Sequence, residues 1–277
     1  MIRLRTALRS GGLYAVMLSL AILFILPLMW LLFIALKTPG EMLEFPPHVL
    51  PRTPRWENFV EALTYVDFLG YARNSVALAV LYGSLVTVSS AMLGFGLARL
   101  PAPGKRFVFG LVVATLMIPP IITLIPTYLI FARVGLLNTF WPWVLWGLAG
   151  SSFLGFMFRQ FFAGLPRELE DAAIVDGCGC FRMFWQIFLP LSKPVLATSF
   201  VLSFVWTWGD WVMPALLLND DRSTLAVAVG SLYQSTGGGP LYHLIAAAAV
   251  MYSLPVLVLF LGLQRLFIRG IATTGLR

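Results

Sequence analysis

One acidic residue stands out among the few side chains of this 277-residue sequence that could contact a ligand. Asp210 lies in a long apolar stretch, and Trp206, Trp208 and Trp211 surround it in the sequence. Tryptophan faces pack on the C–H faces of a sugar ring, and a carboxylate accepts hydrogen bonds from its hydroxyl groups. Trp206, Trp208 and Asp210 are therefore candidate contacts along a substrate path. An aromatic belt at a membrane surface, with Asp210 bonded to a neighbouring helix, is the alternative that stays open.

Catalytic and metal-binding groups are not expected in this sequence. His48 and His243 lie far apart and do not form a catalytic set with an acid and a nucleophile. Cys178 and Cys180 form a C-x-C pair without two further metal ligands, so we expect two reduced thiols. The phosphate-binding pattern G-x-x-x-x-G-K-[ST] does not occur either. These observations predict a protein that is not an enzyme and that binds no cofactor itself.

A hydrophilic insert at about residues 164–194 interrupts the apolar sequence and is expected to form two short helices. The first begins near Pro166, which suits the first turn of a helix, and Gly177 and Gly179 are expected to end it. Four of its residues recur at helical spacing and share a small, mildly apolar face: Leu169, Ala172, Ala173 and Asp176. The second helix is expected to carry one aromatic stripe: Phe181, Phe184, Trp185 and Phe188.

The small-residue face of the insert favours docking against a partner protein. Small side chains let another backbone approach closely, as when a short helix enters a groove on a partner. An amphipathic hairpin lying on the lipid surface is the alternative, and the aromatic stripe alone would fit it. Ala172, Ala173, Asp176 and Gly177 together do not suit lipid, so the sequence indicates a docking element.

The composition predicts an all-α membrane protein. Hydrophobic residues make up 59% of the chain and charged residues 11%, which is more apolar surface than a water-soluble domain buries. Several uncharged stretches exceed the roughly 20 residues that cross a hydrocarbon core, and helices satisfy their own backbone groups there. We expect six transmembrane helices in a single domain covering residues 1–277, at about 12–36, 74–98, 107–132, 140–162, 195–218 and 243–267.

Prolines and basic residues refine this arrangement. Pro119, Pro120 and Pro126 are expected to bend the third span, and the external segment 37–72 is expected to contain a short amphipathic helix within 56–69. With the N-terminus inside, most of the 19 Lys and Arg residues lie on the inner side, which predicts cytoplasmic termini and a cytoplasmic insert. The net charge of +7 follows from that asymmetry and does not indicate nucleic-acid binding.

The spacing of residues within the insert matches a known signature. Asp171-Ala172-Ala173, three residues, Gly177, nine residues and Ile187-Phe188-Leu189-Pro190 resemble the EAA signature of binding-protein-dependent ABC importer permeases, Glu-Ala-Ala-x3-Gly-x9-Ile-x-Leu-Pro. Met117-Ile118-Pro119 and Trp208-Gly209-Asp210-Trp211 are similar to the carbohydrate-type members, in particular the smaller permease of maltose-type importers. The departures are Asp171 for Glu, Gly209 for the usual Asn, and a displaced glycine in the C-terminal tail at 269–277.

The resemblance implies a transport subunit in the inner membrane of a bacterial or archaeal cell. It implies that the insert receives the movement of an ATPase through eight residues: Glu170, Asp171, Ala172, Ala173, Asp176, Gly177, Leu189 and Pro190. The implied partners are a second homologous permease, two ATPase subunits that bind ATP and Mg²⁺, an external solute-binding protein, a sugar and membrane lipid. An ion-gradient-driven transporter of a small polar solute is the alternative, and it would carry inverted repeats and several buried charges.

Overall fold

The computed structural model describes the backbone of residues 2–274 and the side chains of residues 12–262 and Gln264. These residues form a chain of α-helices: α1 (Ile2–Ala35), α2 (Glu57–Tyr65), α3 (Phe68–Arg99), α4 (Lys105–Thr115), α5 (Leu124–Arg133), α6 (Trp141–Ala149), α7 (Ser152–Ala163), α8 (Glu168–Val175), α9 (Cys180–Met183), α10 (Leu189–Leu191), α11 (Lys193–Gly209), α12 (Val212–Leu217), α13 (Leu225–Ser231) and α14 (Tyr242–Thr274). Short 3₁₀ turns cover Pro120–Thr123 and Asp220–Arg222, and a π-helical turn covers Phe184–Phe188.

The all-α fold class predicted from the sequence is confirmed for residues 2–274. Their only extended pairing is an isolated bridge between Gln234 and Pro240, and no strand forms within that range. The short helix predicted within 56–69 is also observed, as α2. Its buried residues Asn58 and Ala62 lie four apart, which is the spacing of one helix face.

Three helical segments in the described part of the chain are long and apolar enough to cross a membrane. They are Gly12–Ala35, Phe68–Arg99 and Tyr242–Gly262. Two bent pairs have the same character: Lys105–Thr115 with Pro120–Arg133, bent by 91°, and Cys180–Leu191 with Lys193–Gly209, bent by 82°. The structure therefore contains three to five candidate spans, and the number six remains a prediction.

Several predicted spans differ from the observed helices, and each difference has a local cause. α3 begins at Phe68 instead of residue 74. The third span breaks between α4 and the 3₁₀ turn at Pro120, as the prolines predicted. The fourth breaks between α6 and α7 because Gly150 has a φ of +80°, which does not continue a helix. The fifth ends at Gly209, and Asp210 is extended before α12.

The chain divides into two compact units. The first comprises Met1–Leu69 and Ala228–Leu254. In it, the buried Asn58 side chain donates hydrogen bonds of 2.8 Å to the carbonyls of Ala35 and Lys37, where α1 ends. The Tyr233 hydroxyl donates to the Ala62 carbonyl at 2.7 Å, and burial raises the pKa of that phenol to about 12. These bonds attach α2 to the segments around it.

The second unit comprises Gly70–Val227 and Pro255–Arg277 and is built around an aromatic cluster. Phe95 of α3 lies at its centre, with ring centroids 5.0–5.9 Å from three other rings: Phe162, Phe184 and Phe188. α3 and α7 come close together at Gly94. A Cβ added there would lie 2.7 Å from the amide nitrogen of Arg159 and closer still to the Cβ of Phe158. Glycine is required at this contact because any side chain would separate the helices.

Candidate functional site

The hydrophilic insert folds as the sequence predicted, into two helical segments. The first is α8, whose first turn contains Glu168, Glu170 and Asp171. α8 ends before Gly177, whose φ of +72° is the left-handed conformation that favours glycine after a helix. The second segment runs from Cys180 to Leu191 through the π-helical turn and then bends by 82° into α11.

The predicted small-residue face of α8 is divided between the interior and the surface. Ala173 is 3% exposed and packs in the aromatic cluster, while Ala172 and Asp176 are exposed. Asp171 and Gly177 are also exposed, and Glu170 is half-buried. The surface that α8 presents therefore consists of its acidic first turn, Ala172 and Asp176, together with two apolar side chains that sequence analysis missed: Ile174 and Val175, 59% and 86% exposed. Their signal was an apolar pair at the end of an acidic helix.

The aromatic stripe of the second segment is divided in the same way. Phe184 and Phe188 are buried in the cluster, and Phe181 and Trp185 are exposed. The π-helical turn changes the residue spacing, so a stripe drawn at α-helical spacing does not stay on one side. Leu189 is half-buried and Pro190 is exposed, where the segment approaches the bend into α11.

Arg99, at the end of α3, attaches α8 to the aromatic cluster. Its guanidinium donates from Nε to the Phe162 carbonyl at 3.0 Å and from Nη2 to the carbonyls of Phe162 and Leu165. Nη1 lies 3.6 Å from Glu170 Oε2, and the guanidinium carbon lies 5.3 Å from the centroid of the Phe188 ring. The buried cation of Arg99 thus contacts three parts of the chain: the carbonyls at the end of α7, the first turn of α8 and the second segment.

A polar cavity of about 430 Å³ lies beside this contact. Its charged lining comes from the end of α3, the start of α4 and the first part of α8 with the residue before it: Arg99, Lys105, Arg167, Glu170 and Asp171. The Lys105 ammonium donates to the carbonyls of Ala98 and Leu100 at 3.2 and 3.0 Å, which satisfies the end of α3. The two cysteines of the insert are free, with Cys178 half-buried and Cys180 exposed. No group of three His, Cys, Asp or Glu residues in the described part of the chain is arranged to hold a metal.

A second cavity, which we call the aromatic cavity, brings together two of the three predicted substrate-path residues. It measures about 360 Å³ and is lined by Tyr82, Trp143, Trp146, Trp206, Thr207, Asp210 and Met213. Trp208 does not line it. That side chain is 2% exposed and stacks on Phe204 with ring centroids 5.8 Å apart. Successive helical residues are rotated by about 100°, so Trp206 and Trp208 lie on nearly opposite sides of α11.

Asp210 is held in place by the start of α12. Its Oδ1 accepts hydrogen bonds from the amides of Val212 at 3.0 Å and Met213 at 3.2 Å. Both bonds fall on one oxygen, and within the described residues Oδ2 has no hydrogen-bond partner. The carboxylate therefore caps a helix and still presents an acceptor at the aromatic cavity. Tyr82, Trp143 and Trp146 are distant in sequence, and only the aromatic content of their segments could have indicated them.

The apolar helices and the hydrophilic insert define a helical multi-pass membrane protein. Residues 90–273 match the family described as "Binding-protein-dependent transport system inner membrane component", and the chain belongs to that family. The resemblance drawn from the insert is confirmed at the family level. Proteins of this family are transport components, so the chain is a permease subunit and not an enzyme.

Two relatives are similar over most of their length. The diacetylchitobiose uptake system permease protein NgcG of Streptomyces coelicolor is 31% identical over 254 residues, with 91% of this chain and 84% of the relative covered. The sn-glycerol-3-phosphate transport system permease protein UgpE of Yersinia enterocolitica is 30% identical over 268 residues, with 92% and 94% covered.

The fold also resembles a solved structure. That structure is of a bacterial ABC transporter involved in the import of the acidic polysaccharide alginate. The two chains superpose with a TM-score of 0.74. The match covers 94% of this chain and 97% of the other at 20% sequence identity. At that identity the comparison shows a shared fold.

Proposed function

We propose that this chain is a membrane-spanning permease subunit of an ATP-driven sugar importer. It forms the translocation path with a second, homologous permease, and two ATPase subunits bind ATP and Mg²⁺ on the cytoplasmic side. An external solute-binding protein delivers the sugar. Family membership supports the importer class in general, and the diacetylchitobiose relative supports a carbohydrate substrate.

The observation that carries this proposal is the way α8 is presented. Its inner side is fixed by Ala173 in the aromatic cluster and by Arg99 on Glu170, whereas Ala172, Ile174 and Val175 point away from the chain. A short helix with exposed apolar side chains and a rigid base suits a groove on a partner protein. In this proposal Asp171, Ala172, Asp176 and Gly177 contact the ATPase, and Glu170 and Ala173 hold the helix in place.

Movement of the ATPase subunits reaches the translocation path through the connection from α8 to α11. The second segment carries Leu189 and Pro190 to the bend, and α11 ends at Gly209, just before Asp210 at the aromatic cavity. The ATPase pair shifts the permease between two conformations only if it binds one of them better than the other. Ala173 of α8 packs in the aromatic cluster with Phe184 and Phe188, so in this proposal a position of α8 that the ATPase pair prefers also selects a position of the second segment.

The proposed topology has six spans with both termini in the cytoplasm. The three long helices and the two bent pairs supply five of them, and α6 with α7 supplies the sixth. This arrangement places α8 and the polar cavity on the cytoplasmic side. The C-terminal tail begins within α14, and its residues 275–277 lie outside the described residues.

Co-purification and transport measurements test the proposal. An affinity-tagged chain should retrieve a second permease and an ATPase, and the reconstituted complex should import sugar only with ATP and the solute-binding protein present. Ala172→Glu should reduce uptake by about tenfold or more while ATP hydrolysis persists, because a charge at the docking surface weakens the contact. Gly177→Asp should act in the same direction.

Ala102→Glu is the matched control, since Ala102 is also exposed and precedes α4 on the proposed cytoplasmic side. It should leave uptake unchanged. Ala173→Glu is unsuitable as a docking test because it would bury a charge in the aromatic cluster. Normal coupling in Ala172→Glu and Gly177→Asp, or a complex without any ATPase, would contradict the proposal.

A further inference from the structure

We propose that the aromatic cavity binds sugars that are uncharged or carry an amine, and that it rejects sugars that carry a phosphate or a carboxylate. The inference rests on the proposed function, because it assigns the chemical class of the substrate that contacts this subunit. Three properties of the aromatic cavity carry it: its aromatic walls, its single charged group, and the hydrogen bonds that its polar side chains already make.

The walls of the aromatic cavity provide faces for a pyranose ring. Trp146 of α6 is half-buried and is supported by the buried Trp143, with an interplanar angle of 81° and ring centroids 5.6 Å apart. Trp206, on α11, is 48% exposed and is supported edge-on by Phe153 at 5.7 Å. The volume of about 360 Å³ lies in the range of small-molecule sites and accommodates one or two sugar units.

The only charged residue that lines the aromatic cavity is an acid. None of its seven lining residues is Lys or Arg, and Asp210 supplies the one formal charge. Because α12 amides hold Oδ1, the carboxylate keeps a fixed orientation and Oδ2 is left to accept a hydrogen bond from a ligand. A second anion in the aromatic cavity would be repelled by that carboxylate with little screening, whereas a hydroxyl or ammonium group would donate to it.

The neutral polar groups of the aromatic cavity do not compensate for an anionic ligand. The Thr207 hydroxyl donates to the carbonyl of Ser203 at 2.9 Å, so its proton is already used. The remaining donors are the Tyr82 hydroxyl and the indole N–H groups, which are uncharged. Neutral donors alone do not offset the cost of removing a phosphate or carboxylate from water.

Ligand-observed NMR tests this selectivity directly. The full-length chain is purified with the permease and ATPase subunits that accompany it, and no solute-binding protein is added. Saturation transfer is then measured with glucose, glucosamine and glucose 6-phosphate, which share one ring and differ in charge. Saturation transfer to glucose and glucosamine is expected. The signal of glucose 6-phosphate should be at most about a tenth of the glucose signal.

Two substitutions locate the effect at the aromatic cavity. Asp210→Asn keeps an oxygen for the α12 amides and removes the charge, so it should lower the signal of glucosamine relative to that of glucose and raise the signal of glucose 6-phosphate. Trp206→Ala should reduce the signals of all three sugars. Trp211→Ala is the control, since Trp211 is similarly exposed, at 47%, and does not line the aromatic cavity.

Equal signals for the three sugars in the unsubstituted complex would overturn the inference, as would unchanged signals in Trp206→Ala. Either result would leave the proposed function standing if the complex still imports a sugar with ATP. Loss of the proposed function would appear separately, as a purified chain without an ATPase partner.

Discussion

Arg99 shows how much of the insert depends on a single side chain. The guanidinium contacts two carbonyls, one in the last turn of α7 and one just after it, as well as the carboxylate of Glu170 and the ring of Phe188. A planar group with five donors can serve all of these partners at once, and a lysine cannot. Arg99 is a basic residue at the end of a predicted span, but nothing in the sequence indicates that carbonyls 63 and 66 positions later are its partners.

Replacement of Arg99 should loosen α8. Arg99→Ala leaves the two carbonyls without their donor and Glu170 without its ion-pair partner, at a cost of about 3 kcal/mol in local stability. Hydrogen–deuterium exchange of the amides in α8 should therefore accelerate strongly. The exchange rate in Arg99→Lys should lie between the rates of the unsubstituted protein and Arg99→Ala. Arg106→Ala is the control, because Arg106 is exposed on the neighbouring α4. Unchanged exchange in Arg99→Ala would show that α8 is held by the packing of Ala173 alone.

The candidate site residues were only partly predictable from the sequence. Trp206 and Asp210 meet at the aromatic cavity because they are close in sequence at the end of one helix. Trp208 was grouped with them as a candidate contact along a substrate path, but it packs on Phe204 and does not line the aromatic cavity, because proximity in sequence does not specify the side of a helix. Ala173 illustrates the same point, since its position in the aromatic cluster depends on how α8 packs on α3 and α7.

At the scale of elements, close contact between helices depends on individual glycines. Gly94 and Gly96 both lie in α3, two residues apart, and have opposite surroundings. Gly94 has no room for a side chain against α7, whereas nothing lies within 4 Å of a Cβ built at Gly96. A substitution at Gly94 therefore reports on the packing between helices, whereas the same substitution at Gly96 reports on the intrinsic preference of the residue for a helix.

Gly94→Ala should destabilise the second unit by about 1–3 kcal/mol, because the added methyl group forces α3 and α7 apart. Gly96→Ala should be neutral or stabilise by up to about 1 kcal/mol, as alanine favours the helix. Unfolding in mixed detergent, followed by circular dichroism, measures both. Similar stabilities for the two variants would mean that α3 can shift to accommodate the methyl group.

The ends of helices could be predicted from the sequence where a proline or a glycine itself interrupts the helix. The break before Pro120 and the end of α8 at Gly177 were predicted on those grounds. The break at Gly150 was not predicted, since an isolated glycine in an apolar stretch is also compatible with a continuous helix. The extended backbone at Asp210 was missed because its carboxylate caps α12, and α12 was not recognised as a separate helix.

At the scale of the whole molecule, orientation across the membrane is the property on which the coupling proposal depends. Cys178 and Cys180 are the only cysteines of the chain, and both lie in the insert. Cys180 is exposed and Cys178 is half-buried. The native protein therefore carries its own reporter for the side on which α8 lies.

A membrane-impermeant maleimide should modify Cys180 in inside-out vesicles and not in intact cells. Cys178→Ser should retain this labelling, and Cys180→Ser should remove most of it, because the remaining thiol is less accessible. Mass spectrometry of the labelled peptide identifies the site. Labelling of Cys180 from outside intact cells would place the insert on the wrong side for an ATPase.

The apolar surface of α1 bears on how the protein is made. Within Gly12–Ala35, the most apolar window of 18 residues has none of its residues buried by other described parts of the chain. Acyl chains can solvate such a surface without tertiary packing. α1 can therefore enter the bilayer before any later segment has been translated, and the helices that follow can assemble beside an element that is already anchored.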